Sequence, residues 1–238
     1  NDPRLNAIYI TNFGCGPDSF ITRFFRRVMG EKPFLQIEVD EHSADAGVVT
    51  RVEAFLDSVK NVKLRDASAF AAPAKPKDPV RKIKRKIFLP NMTDHAYVLA
   101  AGLEYYGVES EVLPESDART LEYGRRYTSG KECYPCIVTT GDLVRKVKDN
   151  NFDPERSAFL IPTSSGPCRL GQYAGLQRII FEELGYEVPI VSPSSNNAYA
   201  DLGVGSGFER RVWRGIVAVD LLQKMLWETR PYEVNPGE

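Results

Sequence analysis

The chain has 238 residues, of which 42% are hydrophobic and 26% charged, with a net charge of −1. These values suit a soluble globular protein of one large or two small domains, and they exclude a global electrostatic drive toward nucleic acid or a membrane surface. No run approaches the roughly 18 to 20 apolar residues of a membrane span, and no basic-then-apolar leader opens the chain. Four cysteines are too few for a disulfide-stapled scaffold, which points to a reducing, cytoplasmic compartment where clustered cysteines bind metal or do redox chemistry. The chain starts only a few residues before its first strand-like run, as either a piece excised from a longer protein or a short natural N-terminus would.

Residues 7–13 lean apolar and alternate, which predicts a strand. Gly14-Cys15-Gly16-Pro17 turns the chain, and Asp18 or Ser19 is placed to cap a helix whose apolar face is Phe20, Phe24, Phe25 and Val28. Residues 34–39 form a second strand. It runs into the polar stretch 40–47 and a helix with Val48, Val49, Val52, Phe55, Leu56 and Val59 on one side. The first 60 residues thus read β-α-β-α. Two strands are too few for a stable independent domain, so this unit either completes a sheet with the rest or lacks its other half.

Residues 61–85 break the pattern with Pro73, Pro76 and Pro79, and form a linker or long excursion. Residues 60–86 hold ten Lys/Arg against two Asp, a net of +8 that leaves −9 on the remainder. The segment is either a solvated basic linker or a docking strip for an acidic partner.

The second unit, 86–238, opens with a short strand at 86–90. Thr93 or Asp94 caps a helix that stops at Gly107. Strands follow at 108–113, 158–162 and 188–193. Helices follow at 117–127, from the Cys133 turn to about residue 148, at 170–184 and at 209–229. Strands alternating with helices predict an α/β fold with a doubly wound, mainly parallel sheet of Rossmann or flavodoxin-like type, arranged as two units.

All four cysteines lie in Gly/Pro turns that lead into helices: Gly14-Cys15-Gly16-Pro17, Cys133-Tyr134-Pro135-Cys136 and Gly166-Pro167-Cys168. An open α/β sheet gathers such turns at one edge. Backbone N–H groups and the helix dipole there lower a thiol's pKa and can bond to anionic sulfur, and glycine permits close approach. A metal or iron–sulfur site, thiol–disulfide exchange at Cys133 and Cys136, and plain buried cysteines all remain open. Zinc fits less well with a single CxxC, and a thioredoxin-like site would need a strand directly before it, where the chain is instead polar and basic. Asp40, Glu41, Asp45, Arg51 and Glu53 fall at the edge that holds Cys15. Either they contact a bound group or they cap helices and pair on the surface. Arg169 could balance negative charge beside Cys168. His42 and His95 read as surface or capping residues. No Walker loop and no strand-borne Gly-x-Gly-x-x-Gly is present, so no nucleotide site is expected in this chain.

Three groups of segments carry a family resemblance. They are Asn-Phe-Gly-Cys-Gly-Pro-Asp-Ser-Phe with Asp-Glu-His-Ser-Ala-Asp-Ala-Gly and Thr-Arg-Val-Glu-Ala-Phe; Gly-Lys-Glu-Cys-Tyr-Pro-Cys with Thr-Thr-Gly-Asp; and Ser-Gly-Pro-Cys-Arg-Leu-Gly-Gln-Tyr. Together they resemble the C-terminal region of the large 2-hydroxyacyl-CoA dehydratase activator-like proteins (CoA-substrate-specific enzyme activases). Those proteins fuse ATPase-type activator domains to a region similar to 2-hydroxyacyl-CoA dehydratase and benzoyl-CoA reductase subunits. The likeness spans most of the chain apart from the basic segment and the last helix.

The resemblance implies an oxygen-sensitive iron–sulfur cluster, of [4Fe–4S] or double-cubane type, supplied with low-potential electrons by ATP hydrolysis elsewhere. It implies Cys15, Cys133 and Cys168 as ligands, with Cys136 a fourth ligand or a bystander. Two cubanes would need more cysteines than this chain carries. The implied partners are ATPase-type activator domains, of the same parent protein or separate, and an acyl-CoA substrate. A dimer is left open. A docking domain without a cluster and a Cys133/Cys136 dithiol oxidoreductase are the competing functions.

Overall fold

The computed structural model describes residues 2, 4–12, 14, 16–61, 85–164, 166–193, 199, 202–205, 207–235 and 237. The expected basic linker lies almost wholly outside them. Two compact units form: Asn1–Asp78 with Thr128–Cys133, and Pro79–Tyr127 with Tyr134–Glu238. Thr128–Cys133 belongs with the first unit rather than with its sequence neighbours.

In the first unit β1 (Ala7–Thr11) and β2 (Phe34–Glu38) pair in parallel, with Ala7 opposite Phe34 and Thr11 opposite Glu38. Alternation sends odd and even positions to opposite faces. Helix α1 (Asp18–Met29) covers one face, where Phe25 stacks on Tyr9 with ring centroids 5.2 Å apart and meets Phe34 edge-on at 5.0 Å. Helix α2 (Asp45–Asn61) covers the other, setting Val48, Val52, Phe55 and Val59 against Leu35 and Ile37. Ile8 and Ile10 share that second face by register, yet they stay 51% and 67% exposed. Among the described residues the two strands form their own sheet rather than extending the larger one.

The second unit holds a four-stranded parallel sheet in the order β4-β3-β5-β6. Its strands are β3 (Lys86–Leu89), β4 (Ser110–Val112), β5 (Ser157–Leu160) and β6 (Ile190–Val191). Its helices are α3 (His95–Tyr105), α4 (Ala118–Tyr127), α5 (Tyr134–Val147), α6 (Tyr173–Glu183) and α7 (Phe208–Thr229). Ile87, Leu89, Ala158 and Leu160 pack with Ala100 and Leu103 of α3 and Phe208 and Val212 of α7. The alternate residues Phe88 and Phe159 face the other way, where Phe159 meets Phe181 of α6 at 5.5 Å. Helices on both faces and all-parallel strands make this a doubly wound α/β unit.

Three local differences from the sequence expectation have physical causes. Asp18 does not cap α1 with its side chain, and Pro17 stands at the cap position. The Asp18 carboxylate instead accepts hydrogen bonds from the Tyr9 hydroxyl at 2.5 Å and the Thr11 hydroxyl at 2.6 Å, tying the helix to β1. The predicted 170–184 helix begins as a 3-10 turn, Arg169–Gln172, before α6 starts. There Gly171 lets the chain cross so close that a Cβ would sit 2.4 Å from the Ser164 carbonyl oxygen. The last strand is two residues rather than six, since the flanking Pro189 and Pro193 have no N–H to donate.

Candidate cysteine site

Cys15 itself lies outside the described residues, but the turn around it is well fastened. Gly14 and Gly16 both take φ of +60, a left-handed conformation that a side chain would strain. The Gly14 N–H donates to the buried Thr11 hydroxyl at 3.0 Å, and the Ser19 hydroxyl donates to the Gly16 carbonyl at 2.7 Å. Lys131 forms an ion pair with Glu38, the last residue of β2. A Cβ on Gly14 would stand 3.0 Å from Lys131 Cδ and Nζ and 3.5 Å from Glu38 Oε1. The loop that carries Cys133 therefore lies directly against the Cys15 turn, within one unit. More than a hundred residues of chain separate the two.

That loop is closed on itself. Glu132 is only 5% exposed, and its carboxylate accepts from the Ser129 N–H and from the Ser129 hydroxyl at 2.9 Å. Ser129-Gly130-Lys131-Glu132 has the Ser-x-x-Glu spacing of a helix-start box, a signal that could have marked it in the sequence. Cys133 is half-buried immediately before α5.

Cys136 and Cys168 belong to the second unit. Helix α5 returns the chain to the start of the parallel strand β5, so it runs against the strands and its N-terminus lies at the carboxyl edge of the sheet. Cys136, in its first turn, is wholly buried at 0% exposure. Cys168 follows β5 at the same edge and is exposed, in extended conformation at the start of the 3-10 turn. Strands β3 and β5 are neighbours, yet α3 leaves β3 on one face and α6 leaves β5 on the other. The loop with Cys168 thus borders the topological switch point, the usual ligand crevice of open α/β sheets. Cys133, Cys136 and Cys168 are thiols rather than disulfide halves.

The polar residues after β2 serve the turn. The Asp40 carboxylate accepts from the His42 N–H at 2.8 Å and the Ser43 hydroxyl at 2.9 Å. Glu41 sits 3.6 Å from His42, with both side chains exposed. Asp45 begins α2, and Arg51 and Glu53 lie on its exposed surface. The loop shares the carboxyl edge of the small sheet with the Cys15 turn. Arg169 is half-buried beside Cys168. His95 is more engaged than the sequence suggested. Its ring bonds to the Thr93 hydroxyl at 2.9 Å and to Asp220 of α7 at 2.8 Å, while the Thr93 hydroxyl, just ahead of α3, accepts the His95 N–H at 3.2 Å.

Two polar side chains, one on α5 and one on α6, are buried, which local sequence spacing does not signal. Gln177 of α6 is 1% exposed. Its amide nitrogen lies 3.4 Å from the hydroxyls of Thr139 and Thr140, and its amide oxygen has no partner among the described residues. Asp142 of α5 is 5% exposed and accepts from the Ser116 hydroxyl at 2.9 and 3.1 Å. Burial raises its pKa above the ordinary 3.8, against the lowering effect of Ser116, Thr120 and Arg145. Between 3.8 and that raised value the folded chain holds a proton that the unfolded chain has lost. Stability from this group is therefore greatest in acid and falls as pH rises through the window. Asp142→Asn keeps an acceptor for Ser116 and is expected to remove this dependence. In urea titrations from acid to neutral pH, the variant should gain stability relative to the parent as pH rises, with a constant difference beyond the window.

Among the described residues, which do not include Cys15, no three of His, Cys, Asp and Glu group closely enough to hold a metal ion. No helix of the described residues is long and apolar enough to cross a membrane. The chain matches no family model, no curated protein and no solved structure.

Proposed function

We propose that this chain is an iron–sulfur domain with Cys15, Cys133 and Cys168 as ligands and Cys136 either a fourth ligand or a buried neighbour. The observation that carries the reading is the meeting of the Cys15 turn and the Cys133 loop across Gly14, Lys131 and Glu38. The two turns are far apart in sequence and meet at a buried glycine, Gly14, which brings the two cysteine-bearing segments to one place. The donor set fits a cluster, with thiols in glycine turns at helix starts.

When bound, the cluster supplies one-electron transfer at low potential. The chain's own residues do the rest. Gly14 and Gly16 let backbone N–H groups come close to sulfur, and Lys131, paired with Glu38, holds the Cys133 loop against the turn. On this reading the domain receives electrons from an ATPase-type activator module, in the same parent protein or separate. It passes them to a substrate of acyl-CoA type or to a partner in the cytoplasm. Anaerobic reconstitution with ferrous iron and sulfide is expected to give stoichiometric iron and sulfide and an EPR signal on reduction. A chain that binds no iron while its thiols remain reduced ends the proposal. A reversible Cys133–Cys136 disulfide in that iron-free protein would favour the dithiol oxidoreductase instead.

A second reading has its own observation. Ile8 and Ile10 are more than half exposed on a sheet face, and α7 exposes Leu221, Leu222, Met225 and Trp227 at 57% to 68%. Exposed apolar side chains grouped on one helix would suit an association site. The chain would then be a docking domain for the activator module, and co-purification of the two, weakened by Leu221→Glu, is its test.

A further inference from the structure

We propose that a cavity at the start of α7 binds a phosphate-bearing small molecule, at a site separate from the cysteine turns. The cavity measures about 380 Å³ and is lined by Tyr106, Gly207, Arg210, Arg211 and Arg214. Helices α3 and α7 run antiparallel: His95 at the start of α3 bonds Asp220, while Tyr106 just past its end packs on Phe208 at 5.8 Å. Because α3 leaves the carboxyl end of β3, the cavity lies at the opposite, amino edge of the sheet from Cys136 and Cys168.

Three guanidinium groups in this place are costly. They stand at i, i+1 and i+4 on one helix, where like charges repel. They also occupy its first two turns, the positive end of the backbone dipole, where cations are disfavoured. Among the described residues no carboxylate pairs with any of the three. The one acid in that turn, Glu209, does not line the cavity and bears on the Tyr199 hydroxyl instead.

The Arg211 guanidinium lies over the Tyr105 ring, 3.9 Å from its centroid, which orders it while leaving its in-plane N–H donors available. Tyr106 is seated against the glycine-rich turn. A Cβ at Gly207 would come 2.8 Å from its hydroxyl, and one at Gly205 would come 3.2 Å from its ring. Its hydroxyl has no hydrogen-bond partner among the described residues. Donors without acceptors, surplus positive charge and a concave site of ligand size point to an oxyanion with several acceptor oxygens. A phosphomonoester or diphosphate matches that chemistry. A long acidic peptide fits less well, since the arginines are confined to little more than one helical turn and α7 continues with Val217 and Leu221.

The test uses inorganic pyrophosphate and the Arg210→Gln/Arg214→Gln double variant, at low ionic strength matched with chloride. Pyrophosphate is expected to raise the Tm of the parent chain, and calorimetry should show at least a tenfold loss of affinity in the variant. Without ligand, the variant should melt at the same temperature as the parent or higher, because a repulsive cluster has been relieved. Cys168→Ser should leave pyrophosphate binding unchanged, which separates this site from the cluster reading. Equal stabilisation of parent and variant would mean an adventitious ion only. No shift at millimolar pyrophosphate, a ligand-free variant less stable than the parent, or binding of an oligoglutamate peptide without pyrophosphate would each overturn the proposal.

Discussion

Replacing Gly141 with alanine is expected to destabilise the second unit by about 3 kcal/mol, read as a lowered urea midpoint with little change in slope. On an open helix the same change would stabilise by roughly 1 kcal/mol, through propensity alone. Here the sign reverses because α4 and α5 cross backbone to backbone. A Cβ on Gly141 would fall 2.0 Å from the Thr120 carbonyl oxygen, and one on Gly124 would fall 2.1 Å from that of Ile137. Both obstacles are main chain, so no rotamer change relieves them. The helices would have to part, disturbing the Asp142–Ser116 bonds and the Arg145–Asp117 ion pair at 2.9 Å. Gly124→Ala should behave alike, and the double variant should lose less than the sum, since one separation serves both. Since α5 carries Cys136 and follows Cys133, Gly141→Ala protein that still folds should also take up less iron.

Serine replacements at the four cysteines are expected to split into two behaviours. Cys15→Ser, Cys133→Ser and Cys168→Ser should each lower iron content after reconstitution several-fold. Cys168 is exposed and Cys133 half-buried, so those two changes should leave the Tm of the iron-free chain near that of the parent. Cys136→Ser should do the reverse. Its site is 0% exposed, so a hydroxyl there forfeits on the order of 1 to 3 kcal/mol if it finds no partner, while iron content falls less. Equal loss of iron at all four positions would instead assign four-cysteine ligation. Iron and sulfide assays paired with melting of the iron-free variants distinguish these outcomes.

The order and type of the elements could be read from the chain itself, because amphipathic spacing and Gly/Pro punctuation are local. Strand–helix alternation, the αL stop at Gly107 and the starts of α1, α4 and α7 all follow from residues within a turn of each boundary. The cysteine turns were conspicuous for the same reason. Tertiary structure decided the rest. It assigned Thr128–Cys133 to the first unit, closed the two-stranded sheet on itself and set the switch point between β3 and β5. It turned Gly124 and Gly141 from poor helix residues into the contact points of a helix crossing. It also separated the buried Cys136 from the more accessible Cys133 and Cys168, and left three arginines around a cavity with no carboxylate paired to them among the described residues. None of these could be seen in the sequence, because burial, close approach and unmatched charge depend on which distant segments come to lie against a residue. Local propensity has no term for that.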